Sequence, residues 1–311
     1  IRAATAEGLR LYPDPDAGGL RAVIAATLGL DPAQIFMGNG SDEVLAHAFH
    51  AFFGSTGPVL FADVTYSFYP SFCTLYGLPF RTVPSGPGFE TAPADFGGVT
   101  GGIVIANPNA PTGRAMPLAE IEQILRQNPD VVVLVDEAYV DFGAQSAMVL
   151  VPHYENLLVV QTFSKSRSLA GLRVGFAAGQ APLIEGLRRI KDSFNSYPLG
   201  RLAQVGAQAA WEDRAWFDHT RARVMADRDR TAAGLRGQGY EVLPSLTNFL
   251  FVRHPGCAGA AVQQSLRQQG ILARHFGQDR IRNWVRISIG TTEECDALLA
   301  ATRGLIGTSP G

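Results

Sequence analysis

The sequence predicts an α/β protein in which a large α/β/α domain with a mainly parallel sheet is followed by a smaller α+β domain. The length of 311 residues fits two domains of about 150 residues each. Short apolar runs alternate with amphipathic segments over 17–189, which is typical of βαβ units. A charge-rich helical stretch ends this alternation. We therefore predict a large domain over 14–221 and a small domain over 222–311 that also includes residues 1–13.

The first elements of the large domain form a helix, strand, loop and helix. Apolar residues at helical spacing predict a helix over 20–28 that ends at Gly29. A strand over 34–37 leads through a glycine turn to Ser41, the predicted N-cap of a helix over 41–53. Further strands, expected to be buried on both faces, are predicted over 59–62, 102–106, 131–135, 157–162 and 174–178.

The remaining elements separate the two predicted domains. A helix is predicted to begin at Pro117. The stretch 198–236 is helical in pattern, and its interleaved arginines and aspartates over 218–230 indicate a solvent-facing connecting helix. The small domain has predicted strands over 240–243, 249–252 and 285–289 and predicted helices over 258–269 and 292–305.

Composition and charge exclude several classes of protein. With 46% hydrophobic and 17% charged residues, the chain is neither disordered nor collagen-like. Its 26 Lys and Arg against 28 Asp and Glu give a net charge of −2, without a long basic run. We therefore expect no nucleic-acid partner.

The sequence also predicts a location. The longest apolar run, 131–135, is far shorter than the roughly 20 residues of a membrane-spanning helix, so we expect no membrane partner. Residues 1–10 lack the apolar core of a signal peptide. The cysteines, Cys73, Cys257 and Cys295, are odd in number and have no C-x-x-C spacing, which favours a reducing compartment and a cytoplasmic protein. Because the chain opens at Ile1 rather than Met, we expect further N-terminal sequence in the full-length protein.

Two polar motifs follow apolar strands. Asp136 ends the run 131–135, at the strand end where open α/β sheets bind ligands. Ser164 and Lys165 follow the next apolar strand. A lysine that ends a buried strand is costly unless it is neutralised or used. Burial and neighbouring cations make such an amine a nucleophile that forms Schiff bases with aldehydes.

An aspartate together with a Schiff-base lysine suggests pyridoxal phosphate. The protonated pyridine nitrogen of that cofactor needs an anionic partner, which Asp136 supplies. Its phosphate needs a cradle, and the loop 38–42 offers backbone N–H groups at a helix start. Ser164 and Arg173 flank the lysine and add a hydroxyl and a guanidinium.

Four ordered motifs then resemble the class II pyridoxal-phosphate-dependent aminotransferases, and within them the histidinol-phosphate branch. These motifs are Asn107–Gly113, Asp136–Tyr139, Thr162–Lys165 and Ala170–Arg173, and four further stretches, Tyr12–Pro15, Gly38–Glu43, Thr65–Tyr69 and Ser193–Pro198, extend the resemblance over essentially the whole chain. The resemblance implies fold type I of the pyridoxal-phosphate-dependent transferases. It also implies transfer of an amino group from L-histidinol phosphate to 2-oxoglutarate, giving imidazole acetol phosphate and L-glutamate.

The resemblance assigns roles around the cofactor. Lys165 forms the Schiff base and moves the proton, Asp136 pairs with the pyridine nitrogen, and Tyr139 bonds the 3′ oxygen; these three residues are the catalytic set. Tyr66 stacks on the ring. The phosphate cup consists of Gly40, Ser41, Asp42, Ser164 and Arg173.

One position departs from the family pattern. Many relatives have an asparagine before Pro-Thr-Gly that also contacts the 3′ oxygen, and here that position is Ala110. Asn109 is the nearest substitute.

Substrate recognition and assembly are also implied by the resemblance. Arg286 matches the arginine that holds the anionic end of the substrate, and Asn248 and Arg274 are weaker candidates for the pocket. Tyr12 matches a residue that reaches the neighbouring active site, which implies a homodimer. The partners are thus a small amino donor, a 2-oxo acid and a second copy of the chain. No metal ligand is assigned, and the family's Asn-Glu-Asn-Pro stretch before Tyr12 is not in the sequence.

Other functions remain open at this stage. An aromatic or broad-range aminotransferase, or a threonine-phosphate decarboxylase, shares these motifs on the same fold. An effector-sensing domain of a transcription regulator is disfavoured because no helix-turn-helix segment or basic patch is found. A dinucleotide-binding protein is disfavoured because Gly38 and Gly40 lack a third glycine at G-x-G-x-x-G spacing.

Overall fold

The computed structural model describes residues 1–5, 7–54, 56–98 and 101–306. Within these ranges, seven strands form one sheet: β1 (Ile35–Gly38), β2 (Val59–Ala62), β3 (Phe80–Val83), β4 (Ile103–Ala106), β5 (Val133–Asp136), β6 (Leu157–Thr162) and β7 (Gly175–Gly179). Their order is β1-β7-β6-β5-β4-β2-β3. Only β7 runs against its neighbours, β6 and β1. The mainly parallel sheet is confirmed, with predicted strand bounds that differ by two residues at most.

Helices cover both faces of this sheet. They are α1 (Gly18–Leu28), α2 (Ser41–Phe52), α3 (Phe68–Tyr76), α4 (Leu118–Gln127), α5 (Ala181–Phe194) and α6 (Arg201–Glu212). Successive strand residues point to opposite faces, so Val133 and Val135 pack into the core with α1, α4 and α6, whereas Leu134 packs into the core with α2, α3 and α5. The apolar runs are continuous because both faces of these strands are buried.

The turn between β1 and α2 differs by one residue from the prediction. Ser41 was expected as the N-cap, but it is the first helical residue, and Gly40 is the N-cap. Gly40 has φ of +83°, a conformation that glycine adopts without strain. Because the chain turns at Gly40, helical geometry begins at Ser41. At the other end of α1, Gly29 is left-handed, as predicted.

A second sheet follows along the chain. In the described part of 214–306, α7 (Arg214–Gly237) leads to β8 (Glu241–Val242), β9 (Phe249–Arg253), α8 (Gly259–Gln268), β10 (Arg274–His275), β11 (Val285–Ser288) and α9 (Thr292–Ile306). The four strands pair antiparallel in the order β10-β11-β9-β8. The predicted domain boundary at 221/222 falls inside α7 and stays a prediction.

The charge-rich helix α7 was expected to face solvent, and this expectation is wrong for part of it. Arg228 is buried, and its Nη1 donates to the carbonyl oxygens of Phe142 and Thr247, at 2.8 and 3.1 Å. Asp227 is also buried and accepts from Thr292. The helix therefore bonds to a segment that follows β5 of the first sheet and to a segment that precedes β9 of the second sheet. None of the described helices has the length and apolar character needed to cross a bilayer.

Two of the elements that the sequence did not predict, β3 and α3, are short or irregular in pattern. β3 is an edge strand, and three of its four residues are exposed. The helix α3 contains Pro70 and aromatic residues, which weaken a helical pattern. Tertiary packing, and not the local sequence pattern, therefore determines that β3 and α3 form.

Candidate active site

The cavity of interest lies where three parallel strands end. Ala106 of β4 pairs with Asp136 of β5, and β6 ends beside them at Thr162. A cavity of about 150 Å³ opens at this edge. Eight of the residues expected at the site line it together: Ser41, Asp42, Tyr66, Asp136, Tyr139, Ser164, Lys165 and Arg173. Neighbouring parallel strands thus bring together motifs far apart in sequence.

Asp136 is the buried anion of the cavity. Its side chain is nearly inaccessible to solvent, and burial raises its pKa to about 6. Two donors oppose this rise: the Tyr69 hydroxyl, 2.8 Å from Oδ2, and the Ala138 N–H, 3.2 Å from Oδ1. Since its pKa lies below 7, the carboxyl is charged at neutral pH.

Tyr69 was quoted within the motif Thr65–Tyr69 but received no role in the sequence analysis. It lies on α3, three residues after Tyr66, which precedes that helix, and its side chain is fully buried. Burial, followed by the charge of Asp136, raises the pKa of its phenol well above the usual range. Two tyrosines three residues apart after a strand were the available signal, because their rings are close enough to contact each other.

Lys165 lies in the loop after β6. β6 ends at Thr162, as predicted, but the expected burial of the lysine is wrong, because its side chain is exposed at the cavity. Its Nζ is 5.5 Å from the ring centre of Tyr139. The next residue, Ser166, donates to Asp141 Oδ2 at 2.5 Å and fixes the loop. The amine therefore faces an open cavity in which it can meet a ligand.

The start of α2 forms an anion cradle with Arg173. The first N–H groups of a helix have no partner inside the helix, and the positive end of the dipole favours anions. A Cβ on Gly175 would lie 2.6 Å from Gly40 C, so only glycine lets β7 approach this turn so closely. Arg173 Nη2 lies 3.6 Å from Asp42 Oδ2. Backbone donors, the Ser164 hydroxyl and a guanidinium thus surround one end of the cavity.

Tyr66 forms another wall of the cavity. Its hydroxyl donates to Asp42 Oδ1 at 3.0 Å, and its ring contacts that of Tyr69 edge-to-face with centres 5.6 Å apart. Burial and the Asp42 carboxylate raise the pKa of its phenol. The ring also stacks on Phe68 with centres 5.5 Å apart, so it is held in place, as a stacking residue requires.

Asn109 does not reach the cavity, and the proposed substitution for the family asparagine is not supported. Its Nδ2 donates to the Val64 carbonyl and the Thr112 hydroxyl, each at 2.9 Å, and its Oδ1 accepts from Thr65 at 2.7 Å. The amide is thus fully used in joining two loops. Ala110 occupies the cavity wall instead.

Two arginines of the second sheet lie side by side. Arg274 of β10 and Arg286 of β11 face each other in the strand register. Both guanidinium groups lie over the Phe276 ring, at 5.6 and 6.0 Å from its centre. Neither forms an ion pair with any carboxylate of the described residues. Like charges placed opposite each other are destabilising, so the pair presents an unmatched positive charge.

A row of aromatic contacts connects the Arg286 side chain to the cavity. Its guanidinium lies 5.0 Å from the ring centre of Phe249, and that ring contacts Tyr139 edge-to-face at 5.1 Å. Tyr139 in turn lies beside Lys165. Asn248, next to Phe249, is half-buried and outside the cavity wall; its backbone carbonyl accepts from Ile289.

Tyr12 lies away from the cavity of its own chain. Its side chain is 79% exposed and stacks on Tyr197 with ring centres 4.7 Å apart. Leu9, Leu11 and Phe194 are also exposed apolar residues. An aromatic residue this exposed is unusual unless another surface covers it.

Glu137, the residue after Asp136, is a second buried carboxyl, and the sequence analysis gave it no role. It accepts from Ser146, the Ala147 N–H and Gln161, at 2.6, 2.5 and 2.8 Å. Burial nevertheless raises its pKa to about 7. It does not line the cavity, so it joins structural segments and is not part of the site.

Comparison with known proteins gives concordant matches. The family model for aminotransferase class I and II matches residues 1–301. A histidinol-phosphate aminotransferase of Acetobacter pasteurianus is 56% identical over 306 residues, which cover 98% of this chain and 86% of that relative.

Solved structures are similar over almost the whole chain. The histidinol-phosphate aminotransferase of Sinorhizobium meliloti, in complex with pyridoxal-5′-phosphate, aligns with a TM-score of 0.89 and 25% identity, covering 99% of this chain and 85% of that one. An aspartate aminotransferase tetra mutant of Thermus thermophilus aligns with a TM-score of 0.84 and 21% identity, covering 98% and 90%, and shows a common fold.

Proposed function

We propose, from the premise that the chain belongs to the class I and II aminotransferase family, that it transfers the amino group of L-histidinol phosphate to 2-oxoglutarate with pyridoxal phosphate as cofactor. The products are imidazole acetol phosphate and L-glutamate. Relatives named for this activity are more than half identical to the chain, which covers 86% and 87% of the length of two of them. The paired arginines Arg274 and Arg286 are the observation in this structure that carries the choice of substrate.

The residues of the cavity fit pyridoxal phosphate. A phosphate group matches the cradle of α2 N–H groups, the Ser164 hydroxyl and the Arg173 guanidinium. A pyridine ring matches the wall formed by Tyr66, and its protonated nitrogen matches the buried anion Asp136. An aldehyde matches the accessible amine of Lys165.

When bound, pyridoxal phosphate supplies an electron sink for bond breaking at the substrate α carbon. The residues of this chain supply the rest. Lys165 Nζ would remove the proton from the substrate α carbon and deliver it to C4′ of the cofactor. Asp136 keeps a negative charge at the ring nitrogen, and Tyr139 donates to the 3′ oxygen. The exposed position of Lys165 lets the amine move between these tasks.

The substrate phosphate is assigned to Arg274 and Arg286. Two facing guanidinium groups without a carboxylate between them match the charge of a phosphate monoester better than that of a single carboxylate. The same fork also accepts a carboxylate of glutamate, as the second half of the reaction requires. An aromatic amino acid would leave one of these charges unmatched.

We also propose a homodimer in which Tyr12 completes the partner's site. Its exposed side chain and the exposed apolar residues Leu9, Leu11 and Phe194 support this assembly. The test mixes Tyr12→Phe and Lys165→Ala subunits after mild dissociation. Random mixing should restore roughly a quarter of the wild-type sites, because half of the dimers then hold one site with both residues intact. Activity that stays at the level of the separate variants contradicts sharing.

The proposed reaction is tested by titrating the cofactor-loaded protein with three amines while recording the visible absorbance of the bound cofactor. L-Histidinol phosphate should change this absorbance at the lowest concentration, and 2-oxoglutarate should restore it. A lower concentration for L-phenylalanine would indicate an aromatic aminotransferase. A histidinol-phosphate aminotransferase and a threonine-phosphate decarboxylase both require a phosphate-binding site. Release of carbon dioxide from L-threonine phosphate would therefore indicate the decarboxylase.

A further inference from the structure

We propose that Tyr69 is a positioning residue that keeps the Asp136 carboxylate charged and turned toward the ring nitrogen of the cofactor. This inference rests on the proposed function, since it concerns the same cavity. The hydrogen bond from Tyr69 Oη to Asp136 Oδ2 measures 2.8 Å, and both side chains are buried.

The ring of Tyr69 has no freedom to leave this position. It contacts the rings of Phe49, Phe61 and Tyr66, with ring centres 6.1, 5.8 and 5.6 Å away. The side chain is 0% exposed, so water cannot replace a lost partner of the hydroxyl. An unpaired buried hydroxyl is costly, and the only hydrogen-bond partner that the described residues offer Tyr69 Oη is Asp136.

The geometry at Asp136 shows what the phenol does. Tyr69 binds Oδ2, and the Ala138 N–H binds Oδ1. With one donor on each oxygen, the carboxylate cannot rotate. Its remaining lone pairs point away from these two donors. Asp136 also lines the cavity. The two donors together therefore fix the face that the anion presents to a cationic ring nitrogen.

The phenol also maintains the charge of the carboxylate. Burial raises the pKa of Asp136 to about 6, and the Tyr69 hydrogen bond is the strongest influence that lowers it. Asp42 raises this pKa further, and Lys165 lowers it. The hydroxyls of Tyr66 and Tyr139 also face this region, from the loop before α3 and from the loop after β5. Without the Tyr69 hydroxyl, the pKa of Asp136 rises toward neutrality, and part of the carboxyl loses its charge.

The test replaces Tyr69 by phenylalanine, which keeps the ring and its packing. The matched control is Tyr240→Phe, which removes a buried hydroxyl from the second sheet, where the ring packs against His254. Three quantities are measured for each protein: the Kd of pyridoxal phosphate, the NMR shift of cofactor labelled at the ring nitrogen, and the pH profile of kcat/KM.

Tyr69→Phe should weaken cofactor binding by about tenfold, since a hydrogen bond to a charged group contributes that much. The ring-nitrogen signal should move toward the unprotonated form, and the acidic limb of the pH profile should move to higher pH. Tyr240→Phe should change none of these. Fluorotyrosine at position 69, a stronger donor in the same packing, should move the acidic limb to lower pH.

The inference is overturned if Tyr69→Phe keeps the wild-type nitrogen signal and acidic limb, even when its Kd or stability changes. If Tyr69→Phe does not fold, the fluorotyrosine protein decides: an unmoved acidic limb overturns the inference. Failure of the proposed function looks different, because the wild-type protein would then bind no pyridoxal phosphate or transfer no amino group.

Discussion

The close approach of β7 to the start of α2 leads to a prediction about Gly175. A Cβ at this position would lie 2.6 Å from Gly40 C and 2.9 Å from Ser41 Cα. Ordinary contacts of a Cβ begin at 3.4 Å, so the turn must move by at least 0.8 Å (3.4 minus 2.6). Ser41 N lies closer still to this Cβ; all three obstacles are backbone atoms, and no side-chain rotation relieves them. Gly175→Ala should therefore displace the anion cradle.

Two effects follow from this displacement. Overpacking of this kind costs about 1–3 kcal/mol in the free energy of unfolding. Loss of one charge-assisted hydrogen bond to the phosphate costs about 1.5–3 kcal/mol. The Kd of pyridoxal phosphate should then rise roughly 10-fold to 100-fold.

The assay is fluorescence titration of the apo-protein with pyridoxal phosphate, together with urea unfolding. Gly171→Ala is the matched control, because a Cβ there meets nothing within 4 Å and the residue lies four positions earlier. Gly171→Ala should leave both quantities unchanged. If Gly175→Ala binds the cofactor as tightly as wild type does, the cradle is not where the phosphate binds.

The other predictions concern substrate charge and pH. Arg286→Ala should raise KM for L-histidinol phosphate roughly 10-fold to 100-fold, since a charged hydrogen bond contributes about 1.5–3 kcal/mol. Arg282→Ala, which removes an exposed arginine paired with Asp279, should leave KM unchanged, and equal KM values in both variants would refute the phosphate assignment. Burial raises the pKa of Glu137 from 4.5 to about 7, so the folded protein binds this proton more tightly than the unfolded chain does. The free energy of unfolding of the apo-protein should thus fall by up to about 3 kcal/mol as pH rises through this window. Glu137→Gln should flatten that slope in urea titrations, and an unchanged slope would contradict the burial argument.

Much of the site could be predicted because its residues follow strong local patterns. The buried strand before Asp136 has no solvent-exposed face, so its apolar run is continuous, and the polar residue that ends it is conspicuous. The glycine turn before Ser41 is equally clear, because left-handed backbone favours glycine. Each of these patterns lies within one strand or one turn. It can therefore be recognised without knowing where distant segments lie.

Residues whose position depends on distant segments could not be predicted. Asn109 is one residue from the expected asparagine, yet its direction depends on Val64 and Thr65, more than 40 positions earlier. Tyr69 resembles any core aromatic until β5 places Asp136 beside it. The end of β6 at Thr162 was predicted, but the exposure of Lys165 depends on how the loop after β6 lies at the cavity, which the apolar run does not show.

The central claim is tested most directly by incubating the purified holo-protein with L-histidinol phosphate and 2-oxoglutarate and measuring L-glutamate. The proposed function predicts one L-glutamate for each L-histidinol phosphate consumed, and no turnover by Lys165→Ala, in which Asp136, Tyr66 and the cradle still hold the cofactor. Absence of L-glutamate from the wild-type reaction, or a wild-type rate in Lys165→Ala, would contradict it.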